Sequence, residues 1–182
     1  MTVSKTDTVI VVGFLILVQG TGALAGFWLP AIAPEVGQSL GLSPSLIAYP
    51  VLILYIFAMI SSLMAGGFVT RFGAWRSSQA ALILIGISHL MFMNGSLIFL
   101  MLGSIILGSA YGLLTPPASH LLSKIVTPKN RNLVFSIRFT GVPLGGILAG
   151  LLAPPIALEY GWRESMLVTI LISIVVATGM QP

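Results

Sequence analysis

Gly66-Gly67-Phe68-Val69-Thr70-Arg71-Phe72-Gly73-Ala74-Trp75-Arg76 is where long apolar sequence first gives way to positive charge. Residues 36–69 carry no charge, and after Arg76 the next charged residue is Lys124. A short Gly-rich, Arg-bearing segment between two such runs reads as a tight loop joining membrane spans. Composition points the same way. Of 182 residues, 57% are hydrophobic and 7% charged, with a mean hydropathy of +1.07. A soluble domain carries about 25% charged residues, so too few are present to cover a water-soluble fold of this size. The expected class is an all-α integral membrane protein.

The net charge of +4 does not indicate nucleic acid, because the basic residues stand singly in short segments. Cytoplasmic charge beside membrane spans accounts for them. The absence of cysteine removes disulfides, thiolate metal sites and cysteine nucleophiles, and no metal or other cofactor is expected. Lys5, the apolar run 9–18 and Ala23-Leu24-Ala25 imitate a cleaved signal peptide. Apolar sequence continues through Phe27-Trp28-Leu29, however, and further spans follow, so this segment is read as a retained first helix.

Outward from the opening stretch, a membrane helix needs about 20 residues at 1.5 Å rise each. Residues 8–33 form one span, and Pro34-Glu35 with Gly41-Leu42 marks a loop. Ser43-Pro44 starts the second span, 44–69, as a capping Ser followed by a first-turn Pro. Residues 77–123 are uncharged for 47 positions, roughly 70 Å as one helix and more than twice the hydrocarbon thickness. They must turn back at Asn94-Gly95-Ser96, giving spans 77–93 and 97–123, the latter kinked or interrupted by Pro116-Pro117. Residues 124–132 form a basic loop, 133–158 a fifth span, 159–164 a loop and 165–182 a sixth span. With the N-terminus inside, cytoplasmic segments hold Lys5, Arg71, Arg76, Lys124, Lys129 and Arg131, and the outer loops hold only Arg163. That asymmetry sets the expected orientation.

Spans one and four share a pattern 86 residues apart. Gly22, Gly26 and Pro30 are spaced as Gly108, Gly112 and Pro116. Four-residue spacing places two glycines on one helix face, where helices approach closely. The offset also falls where six spans halve into two inverted three-helix repeats, an organisation typical of secondary transporters.

These features together resemble the N-terminal six-helix half of a major facilitator superfamily transporter. The family's loop between its second and third helices reads approximately G-x-L-a-D-R-x-G-R-[KR]. Gly66, Arg71 and Gly73 match it, with Arg76 just beyond. Thr70 stands where the family has Asp, Phe68 replaces Leu, and Ala74-Trp75 replaces the basic pair. The resemblance implies a gating role for Gly66, Thr70, Arg71, Gly73 and Arg76. In the fourth span, Ser104-Ile105-Ile106-Leu107-Gly108 keeps the Gly of an R-x-x-Q-G pattern and lacks its Arg. In the fifth, Gly141-Val142-Pro143-Leu144-Gly145-Gly146 is similar to the Gly/Pro-rich antiporter motif with one residue fewer between Pro and Gly-Gly. Gly141 and Gly145 offer a further close-packing face. Gly161-Trp162-Arg163 also looks like the family.

Arg138 lies about 10 Å of helix rise beyond Arg131, inside the fifth span. Either it snorkels to the interface, or it faces a cavity and binds an anionic solute or a counter-charge. Gln19, Tyr55 and Thr140 are the other candidate solute contacts, with interhelical hydrogen bonding as the alternative. His120 is expected at an interface and His89 within helix packing. No Asp or Glu lies in a predicted span, so a carboxylate proton carrier is missing.

The function expected is transport of a small solute by alternating access, in a multi-pass protein of a bacterial inner membrane. Because the family has twelve spans, the chain reads as a fragment or truncated form, which the ending Met180-Gln181-Pro182 favours, or as a half-transporter. Its partners would be the lipid bilayer, the solute, and a C-terminal half-bundle or second copy. A non-transporting scaffold is the alternative. An intramembrane enzyme would need a nucleophile–base pair or paired acids that the sequence lacks.

Overall fold

The computed structural model describes residues 5–180, and all its regular structure is helical. The elements are α1 (Lys5–Ala31), α2 (Ala33–Leu40), α3 (Pro44–Phe72), α4 (Ala74–Phe92), α5 (Leu97–Ile125), α6 (Arg131–Phe139), α7 (Gly141–Tyr160) and α8 (Trp162–Gly179). Residues 181–182, assigned to the sixth span above, lie outside the described residues.

Five segments are long and apolar enough to cross a membrane: Thr8–Ala31, Ser45–Phe72, Leu97–Ile125, Arg131–Tyr160 and Trp162–Gly179. The expected span 77–93 corresponds to α4, which is not among the five. Its 19 residues include Arg76, Ser77, Ser78, Gln79, Ser88 and His89. Ser77, Ser78, Ser88 and His89 are buried, because α4 packs between α5 and α8 and turns them towards helices. Gln79 Nε2 donates to the carbonyls of Ala177 (3.3 Å) and Met180 (3.1 Å), tying the start of α4 to the end of α8.

The structure corrects several sequence expectations. The opening stretch is not a loop, since α3 runs through Gly66 and Gly67 to Phe72 and only Gly73 separates it from α4. Gly73 makes the turn at φ +81°, a conformation open to glycine at little cost. The Pro34-Glu35 loop is the helix α2, ended by Gly41 at φ +63° with the Leu42 N–H bonded to the Gly37 carbonyl at 2.9 Å. Ser43 starts α3, but its hydroxyl bonds Ser45 at 2.9 Å and caps no backbone N–H. Pro116-Pro117 does not interrupt α5, a helix clasped between α3 and α4. The fifth span breaks instead at Thr140. Pro143 has no N–H for the Phe139 carbonyl, and the Thr140 N–H closes a tighter bond to Ile137 at 3.1 Å. Finally, α7 reaches Tyr160 and α8 starts at Trp162, so Glu159 and Glu164 fall in terminal helix turns.

The helices pair with α1 along α7 and α3 along α5. Lipid is as apolar as a protein core, so such pairs depend on close contact of small residues. A Cβ on Gly108 would strike the Leu54 carbonyl oxygen, and one on Gly112 that of Ala58. Gly141 and Gly145 press α7 against the α1 backbone at Ile16 and Gly20. Gly22 and Gly26, matched above to Gly108 and Gly112, face the side chains of Leu114 and Tyr111 on α5. The two motifs thus do different work, one seating a backbone and the other side chains. At the opposite end from Gly73, Trp28 Nε1 donates to Ser165 Oγ at 3.2 Å, and Trp162 Nε1 to Ser39 Oγ at 2.9 Å. These bonds fasten α1 and α2 to α8.

Candidate functional site

Arg138 sits in the last turn of α6, fully buried where α1, α5 and α6 meet. Its Nη2 donates to Gln19 Oε1 at 2.8 Å and its Nη1 to Ser119 Oγ at 3.3 Å. Nε is buried without a partner. The guanidinium carbon lies 4.8 Å from the centre of the Phe139 ring. A guanidinium stays charged at any physiological pH. Here its partners are two neutral oxygens, and no described carboxylate pairs with it. Burying a charge costs several kcal/mol unless an opposite charge offsets it. The arrangement can accept an anion at Nε and at the weakly bonded Nη1.

Local sequence explains the placement. The break at Thr140 ends α6 just after Arg138, so carbonyls of the last α6 turn add negative potential beside the guanidinium. Gly141 and Gly145 draw α1 close enough for Gln19 to reach it. Towards the ends of the three helices that lie beside Gly73, Val12, Leu15, Ala118 and Leu122 form a separate apolar cluster with Val134 and Phe135 against it. That cluster closes the seam within about two helical turns of Arg138.

Among the sequence candidates, Gln19 and Arg138 are brought together and the others are not. Tyr55 stands 48% exposed on α3. Thr140 is exposed and its hydroxyl bonds the Ile137 carbonyl at 2.6 Å. Arg138 does not snorkel, since its head is buried and bonded. Ser119 was missed; its signal is a small polar residue beside His120 in an apolar span, too common in membrane helices to single out. His89 is buried, with Nδ1 3.0 Å from the Ile85 carbonyl and Nε2 unpartnered. In the α3–α4 turn, Thr70 Oγ1 bonds back to the Gly67 carbonyl at 2.9 Å, and Arg71 lies over Phe72. Arg71 and Arg76 are exposed, and nothing stands within 4 Å of a Cβ on Gly66 or Gly73.

The model of the Major Facilitator Superfamily matches residues 12–180. The chain belongs to that superfamily. A gallate transporter of Pseudomonas putida is 27% identical over 151 residues, covering 80% of this chain and 32% of that protein. Two solved structures share the fold at low identity. A peptide transporter crystallised with alafosfalin has 20% identity and a TM-score of 0.74, covering 98% of this chain and 39% of its own. A D-xylose–proton symporter has 17% identity and a TM-score of 0.76, covering 97% and 48%. The chain therefore spans about a third of the curated relative and under half of these structures. As a superfamily member it is a multi-pass membrane protein.

Proposed function

We propose that this chain is the N-terminal six-helix half of a superfamily transporter, with α4 as its sixth crossing and two inverted three-helix repeats. It carries a small organic anion by alternating access against a second six-helix bundle, supplied by a C-terminal half or a second copy. The observation behind the anion is the buried charge of Arg138, which has no carboxylate partner among the described residues. A solute carboxylate would pair with Nε and Nη1, displacing Ser119, once the seam between α1, α5 and α6 opens. Gln19 holds the guanidinium in place throughout. The α3–α4 turn works as a cytoplasmic hinge through Gly73, flanked by Arg71 and Arg76. The kinship with a gallate transporter makes aromatic carboxylates the first solutes to try.

Uptake of labelled gallate into vesicles tests this reading, with the chain alone and in a form extended by a second bundle. Uptake by either form, blocked by competing benzoates and not by neutral phenols, is the expected result. Equal competition by neutral phenols would remove the anion requirement. Activity only in the extended form would dispose of the self-sufficient half-transporter.

Topology is open to a direct check because the chain has no cysteine. With Asn94→Cys, Lys129→Cys and Glu159→Cys, a membrane-impermeant maleimide should label positions 94 and 159 from outside and 129 from the cytoplasm. Cytoplasmic labelling of position 94 would exclude α4 as a crossing.

A further inference from the structure

Beside the α3–α4 turn is a second feature, separate from the Arg138 seam. A pocket of about 480 Å³ opens between this turn and the end of α5, lined by Phe72, Trp75, Arg76, His120, Leu121 and Lys124 among others. Arg76, His120 and Lys124 are exposed, and their side chains have no hydrogen bond, ion pair or ring contact. Among the described residues no acid lines the pocket. Of the described acids, Glu164 stands in the first turn of α8, whose last turn is the one bonded to Gln79 beside the pocket. That separates it by roughly 24 Å of helix rise. Two fixed cations and an imidazole thus converge from two elements without a counter-ion among the described residues.

The same pocket has an apolar side. Phe72 and Trp75 are 44% and 37% exposed, and they stand at the edge of the spans Ser45–Phe72 and Leu97–Ile125. Exposed aromatic rings at this level suit the boundary between headgroups and acyl chains. A soluble anion would satisfy the cations and leave these rings facing water. A phospholipid satisfies both, its phosphate on Arg76 and Lys124 and its glycerol and upper chains against Phe72, Trp75 and Leu121. Basic pockets between membrane helices hold anionic headgroups by this combination of charge and apolar contact.

We propose that this pocket binds the phosphate group of an anionic phospholipid. The orientation proposed above enters only in naming the cytoplasmic leaflet as its source; the site itself needs no solute transport.

The test uses the whole chain in neutral detergent, with native mass spectrometry of bound short-chain phosphatidylglycerol and phosphatidylcholine. Phosphatidylglycerol is expected to bind about tenfold tighter or more. Arg76→Ala with Lys124→Ala should reduce it to the phosphatidylcholine level, while Lys129→Ala with Arg131→Ala, an equal charge loss elsewhere, should not. A photoreactive phosphatidylglycerol should crosslink wild-type protein at the α3–α4 turn and the end of α5, which keeps the test decisive if the double variant fails to fold. Equal binding of the two lipids, equal loss in both double variants, or crosslinks elsewhere would overturn the proposal. Displacement by equimolar inorganic phosphate would identify a soluble phosphate site and also overturn it.

Discussion

Exchanging Arg138 for methionine is expected to lower uptake of an anionic solute at least about tenfold while leaving the bundle as stable as before, or more so. A charge-assisted hydrogen bond contributes about 1.5–3 kcal/mol, so losing the guanidinium removes one to two decades of affinity. Stability should move the other way because the buried cation has only two neutral acceptors. Replacing buried ionic groups by apolar ones of similar volume is often neutral or stabilising by roughly 1–4 kcal/mol. Gln19→Leu should behave oppositely, costing about 1.5–3 kcal/mol by taking the 2.8 Å acceptor from a charge that stays buried. Thermal unfolding in detergent, set beside uptake by a transport-competent form, reads both effects. A large loss of stability in Arg138→Met with uptake intact would make this residue a structural strut and sink the anion site.

The second large effect belongs to the glycines that seat backbones. Gly112→Val should prevent recovery of a monodisperse folded protein, or destabilise it by about 3 kcal/mol or more. A Cβ there meets the Ala58 carbonyl oxygen, with Ser61 Cβ and the Ser62 nitrogen each at 2.9 Å. Two of these are backbone atoms, so α3 as a whole would have to move. Gly150→Ala is the matching control, because nothing lies within 4 Å of its added carbon. It should be neutral or stabilising by up to about 1 kcal/mol through helix propensity. Gly22→Ala should fall between them, since the Leu114 methyl it meets can turn aside. Equal effects at positions 112 and 150 would show that α3 and α5 are not locked by close approach.

Much of the architecture was legible in sequence. The charge-free runs, the turn at Asn94-Gly95-Ser96 and the basic segment near Lys124 place the long apolar helices to within a few residues, apart from the α4 segment. The Pro-based expectations fared unevenly. Pro116-Pro117 passes within a continuous α5, whereas Pro143 accompanies the break at Thr140. Proline removes a hydrogen bond in either place, and the packing of neighbouring helices decides whether the chain yields.

Sequence alone determined that this protein lives in a bilayer and where its long helices run. Backbone polar groups in lipid must be satisfied within the protein, and a helix does so within its own segment, so apolar length and loop charge suffice for that reading. Only tertiary structure decided which polar residues meet. Helices bathed in lipid are apolar on all sides and carry little amphipathic signal for rotation about their axes. The close approach of Gly141 and Gly145 to α1 sets that rotation here. It brings Gln19 and Ser119 to Arg138, while Tyr55 and Thr140 remain exposed elsewhere.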